Sequence, residues 1–348
     1  MPPGGRSHAE ACGRRNLFFL VFLLAQVAVL VTNVSGPVSR RAPPAEQVNL
    51  PSSRCARQKH HPMWMREAQG EKHGLTLLVE QRVRAGEPLK ILDPVDCRNA
   101  TVSDWKGLSW LRDEGTSSSS GSRCRQRQLA LAAAHAASPM MRRPASCLTQ
   151  LGGDLSVWNT EAAGPIHNVL SRLPLRYYVA SEFLPSPPEG PERKSGELVN
   201  GVRHEDLQQT SFPDATFDLV LSTEVLEHVP DPYKAHREVL RVLRPGGAHV
   251  FTVPFIETVV PDVVMSRRSE HTGRIVHGPG LPAQGLVAPM YHGDPVRPKT
   301  GVLVFTLFGQ EMVTKLCALG YDVDMRKLEN PNLGILGPGA VVFTAWKV

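Results

Sequence analysis

From about Leu151 onward the sequence predicts an α/β domain built on a doubly wound, mostly parallel sheet, and three observations carry that prediction. Strand-like and helix-like segments alternate along this half of the chain, which is the pattern of a sheet covered by helices on both faces. Phe217–Ser222, FDLVLS, is a near-continuous apolar run, as a central strand buried on both faces requires. Breakers punctuate the alternation: Arg244-Pro245-Gly246-Gly247 follows one helical stretch and Gly320 another.

Leu155–Asn159 reads as the first short strand and Pro165–Leu173 as a helix with proline in its first turn, where the missing N–H costs nothing. Arg176–Ala180 is the next strand, ending at Ser181-Glu182, and Phe217–Ser222 follows it. Asp231 can cap a helix that has Pro232 at its first position. Ala235, Val239, Val242 and Leu243 then recur at helical spacing up to the Arg-Pro-Gly-Gly stop. Ala248–Pro254 is another strand, Gln310–Leu319 a helix closed by Gly320, and Tyr321–Leu328 and Ala340–Val348 the last two strands. There is no internal repeat.

Before Leu151 the chain is organised differently. Leu17–Thr32, extended by Asn33 and Val34, is uncharged and almost wholly apolar, preceded by Arg14 and Arg15. Its length lies between that of a signal-peptide core and that of a full bilayer span, and no clear cleavage site follows. The expectation is a signal anchor over 17–34 after a short cytosolic tail, 1–16. That topology makes a single-pass protein of the endoplasmic reticulum or Golgi with its C-terminus in the lumen; the alternative is secretion after cleavage. Residues 35–74, rich in Pro, Arg, Gln and Ser, read as a stalk, 75–149 as an N-terminal extension and 150–348 as the main domain. Within the extension, Thr116–Ser122, TSSSSGS, reads as a flexible break and residues 126–137, QRQLALAAAHAA, as a helix by their Ala and Leu content.

The net charge of +6 suggests a nucleic-acid partner only until it is split by region. Residues 1–150 hold 21 Lys+Arg against 11 Asp+Glu, and residues 151–348 hold 18 against 22, so the main domain is slightly acidic. No nucleic-acid partner is expected. If the bulk of the chain is lumenal, Cys55, Cys97, Cys124, Cys147 and Cys317 allow at most two bridges, and Asn99-Ala100-Thr101 is a weak glycosylation sequon. With no CxxC pair, and with His60 and His61 read as solvated side chains of a Pro-rich stretch, no metal site is expected.

The stretch 204–255, HEDLQQTSFPDATFDLVLSTEVLEHVPDPYKAHREVLRVLRPGGAHVFTVPF, closely resembles the second half of a class I S-adenosylmethionine-dependent methyltransferase domain of the type 11 kind. An acidic residue, F-P-D-x-x-F-D-L-V, E-H-V-x-D-P and R-V-L-R-P-G-G stand in register over fifty residues. The resemblance covers about 150–348. It implies a Rossmann-like methyltransferase fold with seven strands, the last antiparallel, and S-adenosyl-L-methionine as cofactor.

In a doubly wound sheet the ligand lies across the carboxyl ends of the strands, so residues just after strands are the candidates. Glu182, 18 residues after Gly164, stands where similar enzymes place an acidic side chain that accepts both ribose hydroxyls. Asp206 resembles their acceptor for the adenine amine, with Leu207 beside it to pack on the base, and Ser222 closes the central strand. The first loop departs from the family pattern. Where similar enzymes carry a glycine-rich stretch, this chain has Trp158-Asn159-Thr160-Glu161-Ala162-Ala163-Gly164, which keeps only the last glycine. Glu161 is placed either to contact the amino group of the methionine portion or to repel its carboxylate.

Methyl transfer from a sulfonium is downhill, so alignment suffices unless the acceptor must lose a proton. Glu224, Glu227 and His228 follow the central strand toward the acceptor side; Glu224 and His228 are the candidate acid–base groups, although His228 also fits a structural helix-start role. Residues 256–301 are an insertion carrying Arg267, Arg268, His277 and Tyr291-His292-Gly293-Asp294-Pro295, expected to shape the acceptor pocket through His292 and Asp294. The acceptor is a small molecule, a glycan or a protein. A nicotinamide oxidoreductase is disfavoured, since neither Tyr-x-x-x-Lys nor G-x-G-x-x-G is present. The degraded first loop leaves a non-catalytic, methyltransferase-like binding module as the alternative function.

Overall fold

A computed structural model describes residues 79, 81–104, 113–141, 143–186, 191–282, 285–293, 299–336 and 340–348. The tail 1–16, the apolar run 17–34 and the stalk 35–74 lie outside the described residues. Among the described residues, no helix is long and apolar enough to cross a membrane.

Before the main sheet come three short antiparallel strands, β1 (Leu89–Asp93), β2 (Arg98–Ser103) and β3 (Thr116–Ser117), then helix α1 (Cys124–Ala137). The main domain continues with β4 (Gly153–Asn159), α2 (Gly164–Leu170), β5 (Leu175–Glu182), β6 (Leu198–Val199), β7 (Val202–His204) and β8 (Phe217–Thr223). Then follow α3 (Pro232–Val242) and β9 (Leu243–Thr252). Six short strands come next: β10 (Val263–Val264), β11 (Ser266–Arg268), β12 (Ile275–His277), β13 (Tyr291–His292), β14 (Val302–Leu303) and β15 (Thr306–Leu307). The chain ends with α4 (Glu311–Leu319), β16 (Tyr321–Lys327) and β17 (Val341–Lys347).

The main sheet runs β16-β17-β9-β8-β4-β5-β7-β6. Strands β9, β8, β4, β5 and β7 are mutually parallel, and β17 is antiparallel to both β9 and β16. The mostly parallel, doubly wound sheet with an antiparallel final strand is therefore present, but it has eight strands and not seven. The additional edge strand, β6, pairs back on β7 through Asn200 and Gly201 at φ of 51° and 80°, the two successive positive φ values that a tight two-residue hairpin demands.

Local signals placed most elements to within two or three residues. The Asp231 carboxylate accepts from Lys234 N at 2.9 Å with Pro232 beginning α3, and Gly320 closes α4 at φ +106°. Two expectations need correction. Arg244-Pro245-Gly246-Gly247 does not separate helix from strand: β9 starts at Leu243, and the glycines lie where its register against β8 shifts. Nor is TSSSSGS a break. Ser120 and Ser122 hydroxyls donate to Oδ2 of the fully buried Asp93 at 2.5 and 3.1 Å, and Ser119 donates to Asp96 at 3.2 Å, so the serines are fastened to β1 and its turn.

The core also runs through the boundary expected at 150. On one sheet face, α1 lays Leu129 and the alanines from Ala130 to Ala137 against Leu219, Leu221, Ala248, Val250 and Val342. A helix buried almost all round has little amphipathic signature, and its alanines let its backbone approach the sheet closely. The opposite face is covered by α3 and α4, with Ala235, Val239, Val242, Met312 and Leu316 packed on Val220, Phe251, Phe343 and Ala345. The six short strands form a ladder of hairpins around a separate small core of Ile256, Val263, Met265, Leu286, Val304 and Leu307. Pairing of β13 with β14 and of β10 with β15 extends the insertion past its expected end at 301. Cys97 and Cys147 form a disulfide, Cys317 is disulfide-bonded as well, and Cys124 is a buried free thiol.

Candidate active site

The parallel strands β9, β8, β4 and β5 are neighbours, so their carboxyl ends lie along one edge of the sheet. In the loop after β4, Asn159 Nδ2 donates to the Glu161 carbonyl at 2.7 Å and Thr160 N to the Leu221 carbonyl at 3.0 Å. Gly164 opens α2 at φ +87°, a conformation that a side-chain-bearing residue adopts only with strain, which accounts for the glycine that the loop retains. Glu182 at the end of β5 reaches back to this loop, and its Oε1 accepts from Ala162 N at 2.9 Å. Glu224, after β8, holds φ +52° and donates its N–H to Thr252 O at 3.0 Å; a non-glycine residue kept in the left-handed region is a mark of functional loops.

Three carboxylates, Glu161, Glu182 and Glu224, gather at these strand ends. Burial raises the Glu161 pKa to about 7; Arg125 opposes the shift, Glu182 adds to it, Thr223 opposes it and Glu224 adds to it. Near them, at the ends of β4 and β9, lie buried polar atoms with no protein partner: Asn159 Oδ1, Thr160 Oγ1 and Thr252 Oγ1. Such atoms each cost about 1–3 kcal/mol when left without a partner, so a polar ligand at these strand ends would be stabilised. These three residues were not singled out from the sequence; the rule that strand ends carry the ligand was the available signal.

The other expected cofactor residues are placed less directly. Asp206 forms a turn, its Oδ1 accepting from Gln208 N at 2.8 Å and Gln208 Nε2 at 3.2 Å. The acidic neighbour Glu205 is buried and bonded to Arg203 and Ser211. Leu207 belongs to the apolar cluster of Trp158, Phe212 and Phe217. The Ser222 hydroxyl is bonded to His249 Nε2 at 2.9 Å inside the sheet.

On the acceptor side the structure gathers Glu227, His228 and His292. The 3-10 turn Leu226–His228 after β8 meets the insertion directly: Phe305 N donates to the Glu227 carbonyl at 2.7 Å, and the His228 Nδ1–H donates to Leu303 O at 2.9 Å. Strand β13 brings His292 to the same place, its ring 5.1 Å from that of His228 and perpendicular to it. His292 thus meets the loop after β8, a contact the sequence pattern did not give, and Asp294, its expected companion, lies outside the described residues. Glu227 is fully buried between the two rings.

Residues 176–251 match a family model described as a methyltransferase domain. An uncharacterized methyltransferase of Mycobacterium sp. (strain KMS) is 39% identical over 74 residues, 20% of this chain and 29% of that protein. The 27-O-demethylrifamycin SV methyltransferase of Amycolatopsis mediterranei is 48% identical over 42 residues, 12% of this chain and 15% of that one. The alignments therefore span less than a third of these curated relatives. Among solved structures, an S-adenosylmethionine dependent methyltransferase from Mesorhizobium loti aligns over 56% of this chain and 92% of its own at 17% identity, with a TM-score of 0.35. The matched segment spans β5 to β9, the strands whose carboxyl ends supply Glu182 and Glu224, and over residues 176–251 the chain is similar to the methyltransferase domain family.

Proposed function

We propose that the protein is an S-adenosylmethionine-dependent methyltransferase whose cofactor lies across the carboxyl ends of β4, β5 and β8. The observation that carries this reading is the gathering of three carboxylates and three partnerless buried polar atoms at the ends of adjacent parallel strands. The donor set fits the cofactor: Glu182 suits a ribose diol, and Glu161 with the Asn159 and Thr160 oxygens suits an ammonium group. The electrostatics favour contact of Glu161 with the amino group. When bound, the cofactor supplies an electrophilic methyl group on a sulfonium. The chain's own residues orient it, while the insertion and the loop after β8 shape the side from which an acceptor approaches. Glu224, just after β8, is the group placed to take a proton. The acceptor is a small molecule, a glycan or a protein.

The test is calorimetry on the folded full-length chain. S-Adenosylmethionine should bind with a measurable heat and raise the melting temperature, and Glu182→Ala should weaken binding about ten- to a hundred-fold, as expected for losing hydrogen bonds to a charged acceptor. A folded wild type that gives neither heat nor thermal shift is a non-catalytic relative.

We further propose that residues 17–34 anchor the chain with residues 35–348 in the lumen. The Cys97–Cys147 disulfide and the bridged Cys317 support this reading, since structural disulfides persist in oxidising compartments. In intact microsomes a C-terminal tag should resist protease until detergent is added; digestion without detergent overturns the topology.

A further inference from the structure

The contact between Glu227, His228 and His292 is not an ordinary hydrogen-bonded cluster. Glu227 is fully buried, and neither of its carboxylate oxygens has a hydrogen-bond partner. A buried carboxylate without donors is among the most costly arrangements in a protein interior, and such groups are paired or bind metals. The groups that face Glu227 Oε1 are His228 Nε2 and His292 Nδ1, each at 3.6 Å, too long for a hydrogen bond.

The tautomer of His228 sharpens the point. Its Nδ1 lies 2.9 Å from the Leu303 carbonyl and must carry a proton to donate there. In the neutral imidazole Nε2 then bears the lone pair, and that lone pair is the group turned toward an unsolvated carboxylate oxygen. Two electron-rich atoms facing one another are stabilised by a cation between them. Moreover, an imidazole that donates its remote N–H to a backbone carbonyl while presenting the other nitrogen is the usual arrangement of a metal-bound histidine.

We propose that Glu227, His228 and His292 form a binding site for one divalent transition-metal ion. The three candidate ligand atoms lie within 4.8 Å of one another. At that widest spacing, with the two 3.6 Å distances to Glu227, they leave a common point about 2.4 Å from each, and a few tenths of an ångström of closure reaches the roughly 2.0–2.2 Å of zinc–nitrogen and zinc–oxygen bonds. Two imidazoles and one carboxylate select first-row metals over calcium or magnesium, and a three-ligand set leaves coordination open for water or an acceptor oxygen. The ligands come from two parts of the chain, the turn after β8 and strand β13 of the insertion, so the ion fastens the insertion to the sheet. No metal was expected from the sequence because Glu227 and His292 are 65 positions apart and no short-range ligand spacing announces them.

The experiment uses the full-length protein freed of metal with a chelator, then titrated with zinc alone against a chromophoric competitor. One equivalent should bind, and cobalt(II) in its place should give visible d–d absorption. His292→Ala and Glu227→Gln should each weaken zinc binding at least tenfold and abolish the cobalt spectrum, while His277→Ala, on the neighbouring hairpin, should leave both unchanged. Circular dichroism in chelator should show that each variant keeps the fold. Absence of stoichiometric zinc binding in the folded wild type, or equal binding in both ligand variants, overturns the site. Because the titration contains no S-adenosylmethionine, its result is independent of whether the strand ends of β4 and β5 bind cofactor.

Discussion

Replacing Arg127 with methionine should lower stability by about 3–5 kcal/mol, the range for removing one partner of a buried charged network, and should shift the urea midpoint accordingly. Arg127 is on α1 and fully buried. Its Nε and Nη2 both donate to the Gly334 carbonyl at 3.0 and 2.8 Å, and Nη1 donates to the carbonyls of Gly115 and Ser122 at 3.1 and 2.5 Å. Methionine fills a similar volume but donates nothing, so three buried carbonyls lose a charged donor at once. The fully buried Asp93 would also lose a compensating cation; burial pulls the Arg127 pKa down, and Cys124 and Asp93 oppose that shift. Arg127→Lys keeps the charge without the planar fork and should fall between wild type and methionine. Should Arg127→Met melt like wild type, the network is not what joins α1 to the segment between β16 and β17.

Arg127 also shows why one part of the fold was legible and another was not. The α3 helix was readable because each signal is local: an aspartate cap, a proline at the first position, apolar residues at helical spacing. The helix α1 was readable as a helix but not as part of the main core, because its burial on every side leaves no amphipathic pattern and its partners, Gly334, Leu336 and Ala340, are more than 200 residues away. The same distance hides the serine cage on Asp93, which in sequence resembles a linker. Sites divide in the same way. The position of Glu182 at the end of β5 was legible from the strand pattern, and that of Gly164 at the start of α2 from the family resemblance of the first loop. His292 was legible only as a motif, and its meeting with Glu227 depends on how a ladder of two- and three-residue hairpins folds back, which no periodicity encodes. Ser222 illustrates the converse: it holds the right position on the strand, yet its hydroxyl bonds to His249, a cross-strand partner that the pattern of β8 alone does not reveal.

Acid should destabilise a Glu161→Gln variant more steeply than wild type, because two sets of buried groups pull in opposite directions. His236 and His249 are buried under α3 and against Phe251; burial lowers the His236 pKa to about 3, and burial followed by the neighbouring His236 holds His249 well below its usual value. Both stay neutral in the fold at ordinary pH. In the unfolded chain they take up protons below about pH 6.5, so the unfolded state binds more protons there and stability falls as pH drops from 6.5 toward 3. At about 1.4 kcal/mol per pH unit for each, the pair costs roughly 4 kcal/mol between pH 7.5 and 5. Burial shifts His135, His167 and His204 in the same direction. Glu161 acts the other way. Its pKa of about 7 in the fold exceeds its unfolded value, so between these the native state binds the extra proton and gains stability on acidification, by at most about 3 kcal/mol at pH 5. Urea midpoints at the two pH values should therefore show a modest loss for wild type and a loss larger by about 2–3 kcal/mol for Glu161→Gln, which cannot take up that proton. Parallel losses in the two proteins would mean that Glu161 is ionised in the fold at neutral pH.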